Sequence, residues 1–431
     1  MKYAGKDKPS AANGARKSRT ECAPEEWQKL LQSEDGGQTT ISNLANVVMA
    51  LRKAPALVGM VAYDEMMRYA VLTRPVPDAK MPNFRGLRPV TDADVAAVQE
   101  WLQRHELRRV GKELVHQAFD LVAHEHGFHP VQGYLTGVKW DGVKRLDTWL
   151  TTYVGVADTS YSRGIARMFL ISMVARIRRP GCKCDYMLIL EGEQSAGKST
   201  VCAILGDAWF SDGLPELHHG DAVRLSMHLR GKWIIEIAEM HSFGRAEAGT
   251  LKAFLTQREE RYTPKFARNE VIEPRQCVFM GTTNKTAYLR DETGGRRFWP
   301  VMVGTIDTAA LIRDRDQLFA EAMAAFIGGE AWWPDAAFEK EHITPEQEAR
   351  FEGDVWETKI AEWLAACVTC ALDAGCLASC TVAEVASAAL GIEIGRVGTA
   401  DQRRIVATME RLRWWQKRGT AGARRWLPPI G

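Results

Sequence analysis

Apolar residues recur at three- and four-residue intervals in "TISNLANVVMALRK" and "TDADVAAVQEWLQRH", each after a threonine able to cap a helix. That spacing predicts a mostly helical region over residues 25–153, ending in a turn-rich connector, "GYLTGVKWDGVKRLDTWL". Over 154–330 the pattern changes, and short apolar runs alternate with helical stretches as in an α/β sheet domain. "YMLILE" predicts a buried strand and "STVCAILG" a helix after it. "KWIIEIAEM" predicts a second strand over 233–238, and "RQCVFMGTTN" a third that ends at Asn284. "EAWWPDAAFEKEHITPEQE" reads as a linker, 331–352. The remainder, 353–431, holds two helical patterns and then "QKRGTAGARRWLPP", two short strands about a glycine-rich turn. No internal repeat is visible.

Composition narrows the setting. The chain of 431 residues is long enough for two or three domains, and 46% hydrophobic with 26% charged residues is an ordinary globular balance. No apolar run reaches the roughly 18–20 residues that span a bilayer, and no secretory leader pattern stands at the start. A soluble, cytoplasmic protein without a membrane partner is expected. Residues 1–24 are polar and basic and are expected to be a disordered arm. A net charge of +2 gives no general coat of positive charge, so nucleic acid would be held by local patches or by a channel between subunits. Nine cysteines fit a reducing compartment. Cys367, Cys370, Cys376 and Cys380 could bind zinc, but they fall on a helix and a short turn, where small buried residues are the plainer reading. His124, His126 and His129 likewise read as a helix end, closed by Gly127 and Pro130.

The chemistry concentrates in "LEGEQSAGKST". Gly192, Gly197, Lys198 and Ser199 satisfy G-x-x-x-x-G-K-[ST] between a predicted strand and a predicted helix. Glycines let the backbone wrap an anion, and helix-start amides face the phosphates. Gly192, Glu193, Gln194, Ser195, Ala196, Gly197, Lys198, Ser199 and Thr200 are therefore the expected nucleotide contacts. Lys198 would reach the β- and γ-phosphates and Ser199 would ligate Mg²⁺. Such a loop needs an acid at a neighbouring strand end. Glu239 is the expected principal carboxylate and metal partner, with Glu236, inside the strand, as the second. Asn284 is the expected sensor of water or γ-phosphate. Arg296 and Arg297, on the turn of "DETGGRRFWP", could reach a phosphate across a subunit boundary.

With these residues in place, the stretch from "YLTGVKWDGVKRLDTWL" to "DETGGRRFWP" resembles the virulence-associated protein E family, relatives of superfamily 3 helicases carried by phages and genomic islands. The likeness rests on "WDGVKRLDTWL", "LEGEQSAGKST", "GKWIIEIAEM", "RQCVFMGTTN" and "YLRDETGGRRFWP", in that order. It implies an α/β P-loop ATPase core of the superfamily 3 and AAA+ type; the pattern before it reads as an α-helical N-terminal domain, and the C-terminal region reads as a winged-helix-like domain. The resemblance also implies a homo-oligomeric ring, a hexamer, with ATP and Mg²⁺ at subunit interfaces, acting in the cytoplasm of a bacterial host. Many superfamily 3 proteins place two adjacent acids where this chain has "EIAE", so the division of labour between Glu236 and Glu239 stays open. No paired aspartates mark a polymerase-type site in 25–150, and priming would fall to a separate primase.

For DNA, "RYTPKFARNEVIEPRQ" predicts a hairpin whose tip carries Lys265 and Arg268, placed to hold a single strand by its phosphates. Arg424 and Arg425 belong to a basic C-terminal cluster interleaved with tryptophans, suited to duplex DNA. The expected function is ATP-dependent DNA helicase or translocase in the replication of a phage or mobile element. The rival readings are an ATP-regulated replication-origin binder that does not unwind, a monomeric small-molecule P-loop kinase, and a DNA-binding regulator with a vestigial loop.

Overall fold

The computed structural model describes residues 26–34, 39–79, 84–215, 222–239, 245–264, 269–289, 295–351, 356–373, 378–418 and 424–429. The expected arm 1–24, the hairpin tip with Lys265 and Arg268, and Cys376 lie outside these residues.

Three amphipathic helices form as the spacing predicts: α1 (Leu44–Lys53), α2 (Asp92–Arg104) and α3 (Lys112–His124). Thr91 caps α2 in a reciprocal box with Asp94, whereas α1 is capped by Asn43, whose side chain accepts from the Asn46 amide, and not by Thr40. The region is not helical alone. Strands β1 (Val61–Asp64), β2 (Tyr69–Leu72), β3 (Arg88–Pro89) and β4 (Gly127–Phe128) make a sheet in the order β3-β2-β1-β4 against those helices. Strands of two to four residues are too short to print a period of two on the sequence. Pro130, read as a helix stop, instead opens the helix Pro130–Gly137, where a missing N–H costs nothing.

The central block begins with α4 (Ser160–Arg178), followed by β5 (Met187–Glu191), α5 (Lys198–Gly206), β6 (Phe210–Ser211), α6 (Ala222–His228) and β7 (Ile234–Ile237). It continues with α7 (Arg245–Thr256), the hairpin β8 (Glu259–Tyr262) and β9 (Val271–Pro274), then β10 (Val278–Thr283), β11 (Phe298–Met302) and α8 (Thr308–Ile327). Five strands form one wholly parallel sheet in the order β11-β5-β10-β7-β6. Alternation along each strand feeds two cores. Leu188, Leu190, Ile234, Val278 and Met280 pack with α4, α5 and α8, while Met187, Ile189, Ile235, Ile237 and Phe279 meet Leu251, Phe254 and Leu255 of α7. A parallel sheet needs both faces covered, and here both are. Pro300 sits in β11, an edge strand, where it withholds no ladder bond.

Residues 331–351 carry helical turns, including Thr344–Ala349, and bury Trp332 and Ile343 in the main core. Beyond them, α9 (Glu357–Asp373), α10 (Thr399–Arg411) and the antiparallel pair β12 (Trp415–Arg418) and β13 (Arg424–Leu427) close around Ile360, Leu364, Ile405, Met409 and Trp426. Trp426 also pairs with Cys380 through backbone bonds of 3.0 and 2.7 Å. No helix among the described residues is long and apolar enough to cross a membrane.

Candidate active site

The loop 192–197 joins the C-terminal end of β5 to the start of α5. Gly192 is required by contact: a Cβ there would lie 2.7 Å from Cγ2 of Val303. Gly197 is required by conformation, since it caps α5 at φ +92°, in the left-handed region. Ser195 also has positive φ, +65°. Lys198, Ser199 and Thr200 form the first helical turn, whose amides have no intrahelical acceptor. A cavity of about 390 Å³ opens over this turn. Its walls are 194–200 on one side and Ala238, Glu239, Thr282, Thr283 and Asn284 on the other.

Two side-chain contacts tie Lys198 and Ser199 to the neighbouring strands, beside the backbone bond from the Gly192 amide to the Thr283 carbonyl at 3.2 Å. Lys198 is buried, and its Nζ donates to the carbonyls of Gly192 and Glu193 at 2.8 and 2.6 Å and to Oδ1 of Asn284 at 2.9 Å. No carboxylate among the described residues forms a salt bridge with it. Burial lowers the Lys198 pKa, and the charge of Glu236 opposes that shift. The hydroxyl of Ser199 donates to Oε1 of Glu236 at 2.6 Å, and Thr282 Oγ1 donates to the same oxygen at 2.7 Å. Glu236 sits within β7, 2% exposed, and these hydroxyls supply hydrogen bonds that water cannot give it there.

Glu239 falls just past β7 at φ +53°, a conformation a β-carbon disfavours, and lines the cavity. Asn284 directly follows β10 and is exposed to the cavity mouth. Ser199 and Glu236 are thus already paired, Lys198 and Asn284 likewise, and Glu239 lines the cavity with Lys198, Ser199 and Asn284. Thr282 was not singled out from the sequence. Its signal is the run of small polar residues at the end of an apolar strand, "GTTN".

The arginines lie elsewhere. Arg296 and Arg297 form the turn Gly295–Arg297 that leads into β11. Phe298 pairs with Met187, the first residue of β5, whereas the loop follows Glu191, the last. A five-residue strand therefore separates the arginines from the loop, about 16 Å at ~3.3 Å per residue. Arg296 is exposed and Arg297 half-buried, and neither lines the cavity of its own chain.

Of the residues expected at DNA, Arg424 and Arg425 are exposed on β13, and Arg425 donates to the hydroxyl and carbonyl of Ser379 at 3.0 and 3.2 Å. The stem of the expected hairpin is present, β8 pairing with β9 from Glu259–Pro274 to Tyr262–Val271. Its base is anchored by Arg275, whose Nε donates to Glu260 at 2.6 Å, and by Arg230, ion-paired to Glu273. The histidines take packing roles: His124 stacks on Tyr63, and His129 caps the helix after it and contacts Gln276 at 3.0 Å. Cys367 and Cys370 lie on α9, and Cys380 pairs with Trp426.

A family model for the virulence-associated protein E-like domain matches residues 135–352, just over half of the chain and all of the cavity's walls. No curated protein matches the chain. Among solved structures, an A-form apo structure of the NrS-1 C-terminal region is similar at 14% identity and a TM-score of 0.47, over 86% of this chain and 96% of that one. An apo structure of the same region gives 13% and 0.45 with the same coverage.

Proposed function

The chain belongs to the virulence-associated protein E-like family, and from that premise we propose that it is an ATP-dependent DNA helicase or translocase. On this reading a P-loop ATPase core carries a winged-helix-like C-terminal unit and works as a homo-oligomeric ring in the replication of a phage or mobile element, in its host's cytoplasm. One observation carries the proposal. Lys198 is buried at the floor of a 390 Å³ cavity, satisfied by neutral oxygens alone, so its charge is left for an incoming anion.

The donor set fits a nucleoside triphosphate. The first helical turn, Lys198 and the glycine loop line one space, as polyphosphate recognition requires. The pairing of a hydroxyl with a buried carboxylate, Ser199 with Glu236, fits Mg²⁺, which would neutralise phosphate oxygens when bound. On this reading Glu236 shares with Ser199 the metal-side role, held in place by Thr282. Glu239, free at the mouth, takes up the proton of the attacking water, and Asn284 orients that water once Lys198 has turned from it to phosphate. Arg296 or Arg297 of the next subunit stabilises the charge that develops on the transferred phosphoryl group. Lys265 and Arg268 would follow a single strand through the ring, while Arg424 and Arg425 would hold duplex DNA.

The test is ATP hydrolysis by the unaltered chain and by Lys198→Ala, followed by strand separation on a forked duplex. We expect hydrolysis to fall at least a hundredfold in the variant (about 3 kcal/mol of barrier), with its melting temperature kept. Equal hydrolysis by both chains would end the proposal. Hydrolysis without strand separation would point to an ATP-regulated origin binder.

A further inference from the structure

The strand that delivers the loop is apolar and buried until its last residue. Met187, Leu188, Ile189 and Leu190 are followed by Glu191, which is 0% exposed. A carboxylate here is costly, because desolvation raises its pKa and favours the neutral form. Its opposing partner comes from 159 residues away. Nε of Arg350 donates to both carboxylate oxygens at 3.1 Å, and Nη2 lies 3.1 Å from Oε2. Leucine would pack at such a site as readily as its neighbours do, and replacing a buried pair by apolar residues is often neutral or stabilising. The pair therefore does more than fill space.

Arg350 has a second grip. Its carbonyl accepts from the amides of Tyr288 and Leu289 at 3.0 and 3.1 Å, in the segment that continues from Asn284. Its Nη1 is held by Glu346 in turn. One residue thus spans the root of the loop and the segment behind the sensor strand, the two parts that Lys198 and Asn284 join on the cavity side. Outward, the adjacent Phe351 lies under the guanidinium of Arg411 in α10, 4.3 Å from the ring centroid.

Resting on the function proposed above, we infer that Arg350 is a positioning residue for ATP hydrolysis. Through Glu191 and the 288–289 backbone it sets the loop against the sensor segment, from the stretch of chain that leads into the C-terminal unit. It touches no substrate, so its effect falls on turnover more than on nucleotide affinity.

The test uses the full chain carrying Glu191→Leu with Arg350→Met, a neutral pair of similar volume, and separately Arg350→Lys, which keeps the charge but loses the fork. We expect the double variant to melt no lower than the unaltered chain. Its kcat should fall about tenfold while KM for ATP stays within about twofold, since small misplacement of reacting groups costs rate before binding. Arg350→Lys should lie between the two. Unchanged kcat in both variants, or a loss of kcat that tracks a loss of melting temperature in both, would overturn the inference. If the unaltered chain hydrolyses no ATP, the proposed function itself fails and this inference falls with it. An active parent with equally active variants removes only the inference.

Discussion

At the C-terminal edge of the parallel sheet, Lys198 touches Asn284 and Ser199 touches Glu236, which Thr282 also holds. At the opposite edge Arg296 stands exposed, and no carboxylate among the described residues pairs with it. The first group is assembled by a single chain before any ligand arrives. The second has the right chemistry at the wrong end of its own sheet. A cavity built from adjacent strand tips is a property of the fold, because parallel strands bring their ends together. A group at the start of an edge strand lies a strand's length from that cavity, and on the proposed reading it serves the nucleotide of another copy. The contrast separates a half of the proposed site that one chain builds from a half that the proposal draws from a neighbouring copy.

The strongest way to break that contrast is subunit mixing. Arg296→Ala should lower hydrolysis by about 10³-fold, within the range for a finger supplied in trans. A mixture of Arg296→Ala and Lys198→Ala chains should regain measurable turnover, since some interfaces then pair an intact loop with an intact arginine. Failure of the mixture to exceed the sum of its parts would place the arginine's role within one chain. Arg297, half-buried with its Nε enclosed, is expected to affect melting temperature more than turnover.

A smaller effect separates the acids inside the cavity. Glu239→Gln should cut turnover about a hundredfold while leaving ATP binding intact, as loss of a proton acceptor does. Thr282→Val should cost only about threefold to tenfold, one hydrogen bond to a buried carboxylate, and should raise the Mg²⁺ concentration needed for half activity. If Thr282→Val leaves the Mg²⁺ requirement unmoved, Glu236 does not act on the metal side.

The smallest effect is in pH. Burial lowers the Lys198 pKa, so its ammonium loses its proton below the usual lysine value of about 10.4. ATP affinity of the ligand-free chain should therefore decline with rising pH before that value, while Lys198→Arg, which does not titrate there, should show no such decline. The sign for stability is opposite. The unfolded chain binds the extra proton between the two pKa values, so this group's contribution to stability grows as pH rises through that window. An affinity profile that is flat up to pH 10 would show that the ammonium is not desolvated.

Much of this was legible in one dimension. The loop announces itself because glycine at 192 and 197 is demanded by local contact and local φ, and both demands leave their mark on the residue type. Strands β5, β7 and β10 of the central sheet were legible because burial on both faces leaves continuous apolar runs, whereas β6, two half-buried residues, leaves none. The four-stranded N-terminal sheet was not, since its strands are shorter than the pattern that would reveal them. Nor was the pairing of Ser199 with Glu236 over Glu239, which depends on which side of β7 each acid leaves the strand and on a left-handed turn at Glu239.

What the sequence by itself determined is the kind of chemistry: residue types whose backbone conformations or charges have few alternative uses, namely the glycine loop with its lysine, the acids in and just past an apolar strand, and the arginine turn. What only the tertiary structure decided is who meets whom. The order β11-β5-β10-β7-β6 sets Asn284 beside the loop, while Arg296, at the start of β11, lies a strand's length from it. It also lets Arg350, 159 residues downstream, close on Glu191. Neighbours in a parallel sheet are chosen by crossover connections, and these carry no local signal in the residues they bring together.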